Sequence, residues 1–91
     1  MDKPLDQLKR KCVLVLHYEE PSKTTIEVLE YFFVRHVVID SAFLLNASSD
    51  LASLHIFCSL EKDRMKQLEF QLSKMKNMIR VEILFNNKRI D

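Results

Sequence analysis

The 91-residue chain has no glycine, no tryptophan and only two prolines. Without glycine it has no residue that takes a left-handed backbone free of steric cost, and glycine-rich phosphate-cradling loops are excluded. Neither sign of charge dominates. Fourteen Lys and Arg against thirteen Asp and Glu leave +1, too little for a broad field that would gather nucleic acid or an anionic membrane. No apolar run approaches the roughly 20 residues that span a bilayer. Residues 1–11 carry charges without the apolar centre of a signal peptide, so a cytoplasmic chain is expected. Cysteine is scarce as well. Cys12 and Cys58 are far apart in sequence with no second pair, which removes a zinc site. Both are read as small buried hydrophobes in a reducing compartment, not as a disulfide.

The groupings that catalysis needs are also missing. His17, His36 and His55 fall on separate elements, none pairs with another at helical i, i+4 spacing, and each is read as structurally satisfied or simply exposed. Glu19-Glu20, the one adjacent acidic pair outside the helical stretches, reads as solvated turn residues. A non-catalytic chain with no metal and no cofactor is expected.

What is present is an apolar fraction of 47%, enough for one folded core, arranged as alternating strand and helix patterns. Residues 11–18 are a β-rich run, apolar on both faces, as in a central strand. Residues 22–35 carry helical spacing, with Ser22 or a Thr24/Glu27 capping box at the start and a core stripe of Ile26, Leu29 and Phe33 widened by Val28 and Phe32. The β-branched Val37-Val38-Ile39 ends this helix by propensity. A strand over 37–47 follows, with Ile39, Phe43 and Leu45 on one face. A hairpin around Ala47-Ser48-Ser49-Asp50 leads to a strand over 51–60, which points Leu54, Ile56, Cys58 and Leu60 at the helices. Residues 61–77 form a second helix with the stripe Met65, Leu68, Leu72 and Met75, and Phe70 lies off that stripe. The last strand, 79–85, sets Val81, Ile83 and Phe85 opposite Arg80, Glu82 and Leu84.

This β-α-β-β-α-β order closes when each helix makes a right-handed crossover between parallel strands and the halves interleave into one antiparallel sheet. The expected fold is an α+β sandwich with two helices on one face of a four-stranded antiparallel sheet. Residues 1–10 form a polar lead, 11–85 the domain and 86–91 a polar tail. In this order Cys12 and Cys58 become near neighbours. The uncovered sheet face should be polar, yet Val13, Val15, Val38, Ala42, Phe57 and Leu84 fall on it, which predicts a partner, most economically a second copy. Of these, Val13, Val15, Val38, Phe57 and Leu84 are taken as the partner face. Tyr18 and Phe57 are the candidates for base stacking under an RNA-binding reading, but they lack the glycine-aromatic signature and basic surroundings, so no nucleic-acid partner is expected.

Three segments resemble the ACT domain, a small amino-acid-sensing module with a ferredoxin-like fold, and in particular the small regulatory subunit of acetohydroxyacid (acetolactate) synthase. They are Arg35-His36-Val37-Val38-Ile39-Asp40-Ser41, Leu54-His55-Ile56-Phe57-Cys58-Ser59-Leu60, and residues 63–84 ending in Val81-Glu82-Ile83-Leu84. The resemblance implies a homodimer, docking on a large catalytic chain, and a branched-chain amino acid held between subunits near the loop before the first helix. That loop, Glu20-Pro21-Ser22-Lys23-Thr24-Thr25, lacks the family's asparagine and glycine. Lys23, Thr24 and Thr25 at the helix start stand as the effector-binding candidates, through helix-start amides and the lysine charge. The alternative is an interaction or dimerisation module that binds no amino acid.

Overall fold

Alternation of apolar side chains from Cys12 to Tyr18 builds the central strand, and the rest of the fold is arranged around it. The computed structural model describes residues 8–85, and residues 1–7 of the polar lead over 1–10, with the tail over 86–91, lie outside the described residues. The elements are β1 (Arg10–Glu19), α1 (Pro21–Val34), β2 (Ile39–Leu45), β3 (Leu51–Leu60), α2 (Lys62–Ser73) and β4 (Met78–Phe85). The sheet order is β2-β3-β1-β4, with every neighbour antiparallel. This is the expected ferredoxin-like sandwich. The core lies between the sheet and the helices: Cys12, Leu14, Leu16 and Tyr18 from β1, Ala52, Leu54, Ile56, Cys58 and Leu60 from β3, Met65, Leu68 and Leu72 from α2. Met75, Val81 and Ile83 pack at its edge, as their spacing predicts.

Three expectations are corrected. The first concerns α1, which buries Pro21, Thr24, Val28 and Phe32 and turns Ile26, Leu29 and Phe33 outward, with Phe33 82% exposed. Both stripes have helical spacing, and the chain chooses the one that places Phe32 under the sheet. The second concerns β2, which begins at Ile39 and shifts register between Ile39 and Ser41, so that Asp40 is a bulge. Beyond it Ala42 and Leu44 face the helix side, opposite Ile56 and Leu54, while Phe43 and Leu45 join the outer face opposite His55 and Ser53. Ala42 therefore does not belong to the outer set, and Val38 precedes the strand altogether.

The third correction is at the helix ends. Pro21 occupies the first turn of α1, where its missing N–H costs nothing, and no side chain caps either helix. α1 stops because His36 takes a left-handed backbone (φ 59°), with the His36 amide bonded to the Phe33 carbonyl at 3.0 Å and the Val37 amide to the Phe32 carbonyl at 3.0 Å. That is the Schellman pattern with histidine in the usual glycine seat. Glu20, Asn46 and Asn77 hold the other positive φ values among the described residues, each beside the end of an element. α1 and α2 are clasped at the surface. The Tyr31 hydroxyl donates to Gln71 Oε1, Arg64 donates to the Arg35 carbonyl, and the Arg35 guanidinium stacks 3.6 Å over the Tyr31 ring.

Candidate functional site

The loop from β1 into α1 is the first place to look for an effector. Glu20 adopts φ 54°, ψ 59°, so this chain reaches the left-handed turn without glycine. Its carbonyl receives the Lys23 amide at 3.1 Å and the Thr24 amide at 2.8 Å. Thr24 is fully buried: its hydroxyl donates to the Glu19 carbonyl at 2.8 Å and lies 3.4 Å from Asn77 Nδ2. The Thr25 hydroxyl is bonded to the Tyr18 hydroxyl at 2.5 Å. Of the three candidates, Thr24 and Thr25 hold α1 to β1 and to the turn before β4, and Lys23 alone is exposed. Lys23 stands over a cleft of about 510 Å³ lined with Glu19, Glu20, Asp50, Lys76 and Asn77. Its lining thus carries two lysines and three acidic residues.

The open sheet face divides into two halves. In one, Val13 and Phe57 face each other across β1 and β3, Leu84 faces Val13 from β4, and Phe43 meets Phe57 edge to face at 5.8 Å. Val15 is already buried by its neighbours, and Val13 and Phe57 are half-buried, whereas Leu84, Val38, Phe43 and Leu45 are exposed. In the other half, His17 Nδ1 lies 2.8 Å from Ser53 Oγ, and His17 Nε2 lies 3.5 Å from Arg80 and 4.0 Å from Glu82, which pairs with Arg80 at 3.2 Å. Sequence reasoning missed this cluster because its members are brought together only by strand register. A hydroxyl beside an imidazole would interest an acyl-transfer chemist. Here, however, Ser53 sits mid-ladder between His17 and Leu45, so no free backbone amides converge where an oxyanion would form. Tyr18, one of the two stacking candidates, is wholly buried on the helix side, where burial raises its phenol pKa despite the bond to Thr25. It offers no ring to a base.

A group of exposed apolar side chains runs along α1 and the segment leading into the edge strand. Ile26, Leu29 and Phe33 line the outer flank of α1, and a cleft of about 650 Å³ joins Leu29 and Phe33 to Val37, Val38 and Ile39. Beyond it, Leu44 and Ala42 on the helix side of β2 are uncovered, as is the free hydrogen-bonding edge of that strand. No three metal-ligating side chains converge among the described residues, and no helix among them is long and apolar enough to cross a membrane.

No protein-family profile matches the chain, and no curated protein is similar to it in sequence. The likeness lies in the fold. An uncharacterised protein of Thermotoga maritima superposes with a TM-score of 0.72 at 18% identity, over 87% of this chain and 99% of the other. The ACT domain from the GTP pyrophosphokinase of Chlorobium tepidum superposes at 0.74 and 17%, over 84% and 99%. The C-terminal domain of the MgtC protein of Mycobacterium tuberculosis superposes at 0.66 and 10%, over 94% of each chain. At such identities the shared property is architecture: the chain has the ferredoxin-like fold of that ACT domain.

Proposed function

We propose that this chain is a non-catalytic regulatory domain of the ACT type that works as a pair. The observation that carries the reading is the apolar band from Ile26 through Leu29, Phe33 and Val38 to the unpaired β2 edge. Full burial of one such side chain is worth about 1.5–3 kcal/mol, and a strand edge flanked by them is a template for a second copy. Two β2 edges side by side would extend the sheet to both protomers and cover the two α1 flanks together. Sedimentation of the pure protein at micromolar concentration should give twice the 10.8 kDa chain mass. A monomer at every concentration would remove the reading.

A finer reading comes from the resemblance to the acetohydroxyacid synthase small subunit: the pair docks on a large catalytic chain and responds to a branched-chain amino acid. The polar cleft beside Lys23, with charges of both signs, supports it. The occupied hydroxyls of Thr24 and Thr25 favour the plainer alternative, an interaction module that senses nothing. An effector bound there would regulate a catalytic partner only by differing in affinity for two arrangements of the pair. Calorimetry with valine, leucine and isoleucine separates the two. Heat that disappears in Lys23→Ala supports sensing, and silence at millimolar ligand leaves the interaction module.

A further inference from the structure

We propose that Cys12 and Cys58 are a modification site, a cross-strand dithiol that a small hydroperoxide converts to a reversible disulfide. The residues face each other directly across β1 and β3, and their sulfurs lie 3.7 Å apart as free thiols. Facing residues in an antiparallel pair have Cα atoms about 4.5 or 5.5 Å apart, and both spacings fall in the range a disulfide bridges without moving the backbone. The row continues to Ile39 on one side and Phe85 on the other. Both residues adjoin a cleft of about 420 Å³ on the open sheet face, with Lys11, Asp40 and Phe57 among its walls, while their side chains belong to the core on the helix side. Nearly complete burial shields them from large disulfides such as oxidised glutathione and leaves a molecule of peroxide size as the oxidant.

The two thiols are not equivalent. The hydrogen bond shared with Cys58 lowers the pKa of Cys12 against the opposing effect of burial, and the same bond, followed by burial and the charges of Cys12 and Asp40, raises that of Cys58. Cys12 is the attacking thiolate. Its sulfur forms a bond to one peroxide oxygen, the O–O bond breaks, and hydroxide leaves and is protonated to water, giving a sulfenic acid. Cys58 then attacks the Cys12 sulfur, its proton joins the departing hydroxyl, and the S–O bond is replaced by S–S with loss of a second water. The two sulfurs together lose two electrons, which the peroxide takes up. An external dithiol reverses the change. This proposal does not rest on the pairing of two copies.

The test uses the full chain, reduced, desalted and exposed to a few equivalents of hydrogen peroxide. The intact mass should fall by about 2 Da without formation of covalent dimer, and dithiothreitol should restore it. The oxidised form should melt higher by about 10 °C, because the new bond closes a long loop in the unfolded chain. Cys58→Ala should instead stop at a sulfenic acid on Cys12, trapped by dimedone when the chain is unfolded in its presence. Two thiols that survive peroxide and are alkylated after unfolding would overturn the proposal, as would oxygen added to each sulfur separately. Both outcomes are read on the unmodified sequence and do not depend on the variant folding.

Discussion

At the scale of single residues, the consequence of a chain without glycine is visible at four positions. Glu20, His36, Asn46 and Asn77 hold positive φ values that glycine would hold without strain. Asparagine and histidine are enriched among the non-glycine residues of this region, glutamate is not, and each of them still strains its Cβ there. His36 is exposed, and its seat is defined by the two closing bonds of α1, which depend on backbone alone. His36→Gly should therefore stabilise the folded chain by about 0.5–1 kcal/mol, the relief of left-handed strain less the extra flexibility of the unfolded chain. A urea titration with raised midpoint and unchanged slope is the expected result; a lowered midpoint would mean that the imidazole makes a contact of its own. The motif had no signature in the sequence, because its marker residue is the one the chain lacks.

At the scale of elements, α1 carries two apolar stripes, and tertiary packing selected between them. Periodicity finds Ile26-Leu29-Phe33 and Val28-Phe32 as neighbouring bands on one broad face, without saying which meets the sheet. The decision is visible in Thr24, one turn before Val28, whose buried hydroxyl is satisfied by the Glu19 carbonyl. A rotation of α1 that buried Ile26 would tear that bond. Phe32→Ala should cost about 3–5 kcal/mol, as for large-to-small changes in a closed core, while Phe33→Ala should change the stability of the isolated monomer by no more than about 0.5 kcal/mol. Denaturation of both variants at low protein concentration checks this, and equal losses would mean that both stripes are buried. In β2 the same limit applies: its alternation is ambiguous because both faces are apolar, the bulge at Asp40 reverses the faces after it, and a period of two carries no mark of an inserted residue.

At the scale of the whole molecule, the uncovered apolar surface reaches beyond the set that the sequence puts on the open sheet face. Val15 is shielded within the monomer, and the exposed set extends from Leu84, Phe43 and Leu45 to the α1 flank and the β2 edge. On the proposed pairing, the second copy lies along β2. Leu44→Lys puts a charge on the exposed edge strand, away from the core cluster, and should weaken self-association at least tenfold while leaving the monomer folded. Sedimentation equilibrium alongside circular dichroism reads both quantities. Unchanged association would move the contact to the open sheet face around Phe57 and Leu84.

The sequence by itself determined the order of elements, the central place of β1, the core faces of β3, α2 and β4, and the nearness of Cys12 to Cys58. Each follows from local periodicity and from the few ways such an order can close. Only the tertiary structure decided which stripe of α1 is buried, where β2 changes face, that the hydroxyls of Thr24 and Thr25 are consumed internally, and that His17, Ser53, Arg80 and Glu82 meet. Those outcomes depend on register and rotation between distant segments. The energy that sets them belongs to contacts formed after the elements exist, and no local pattern encodes it.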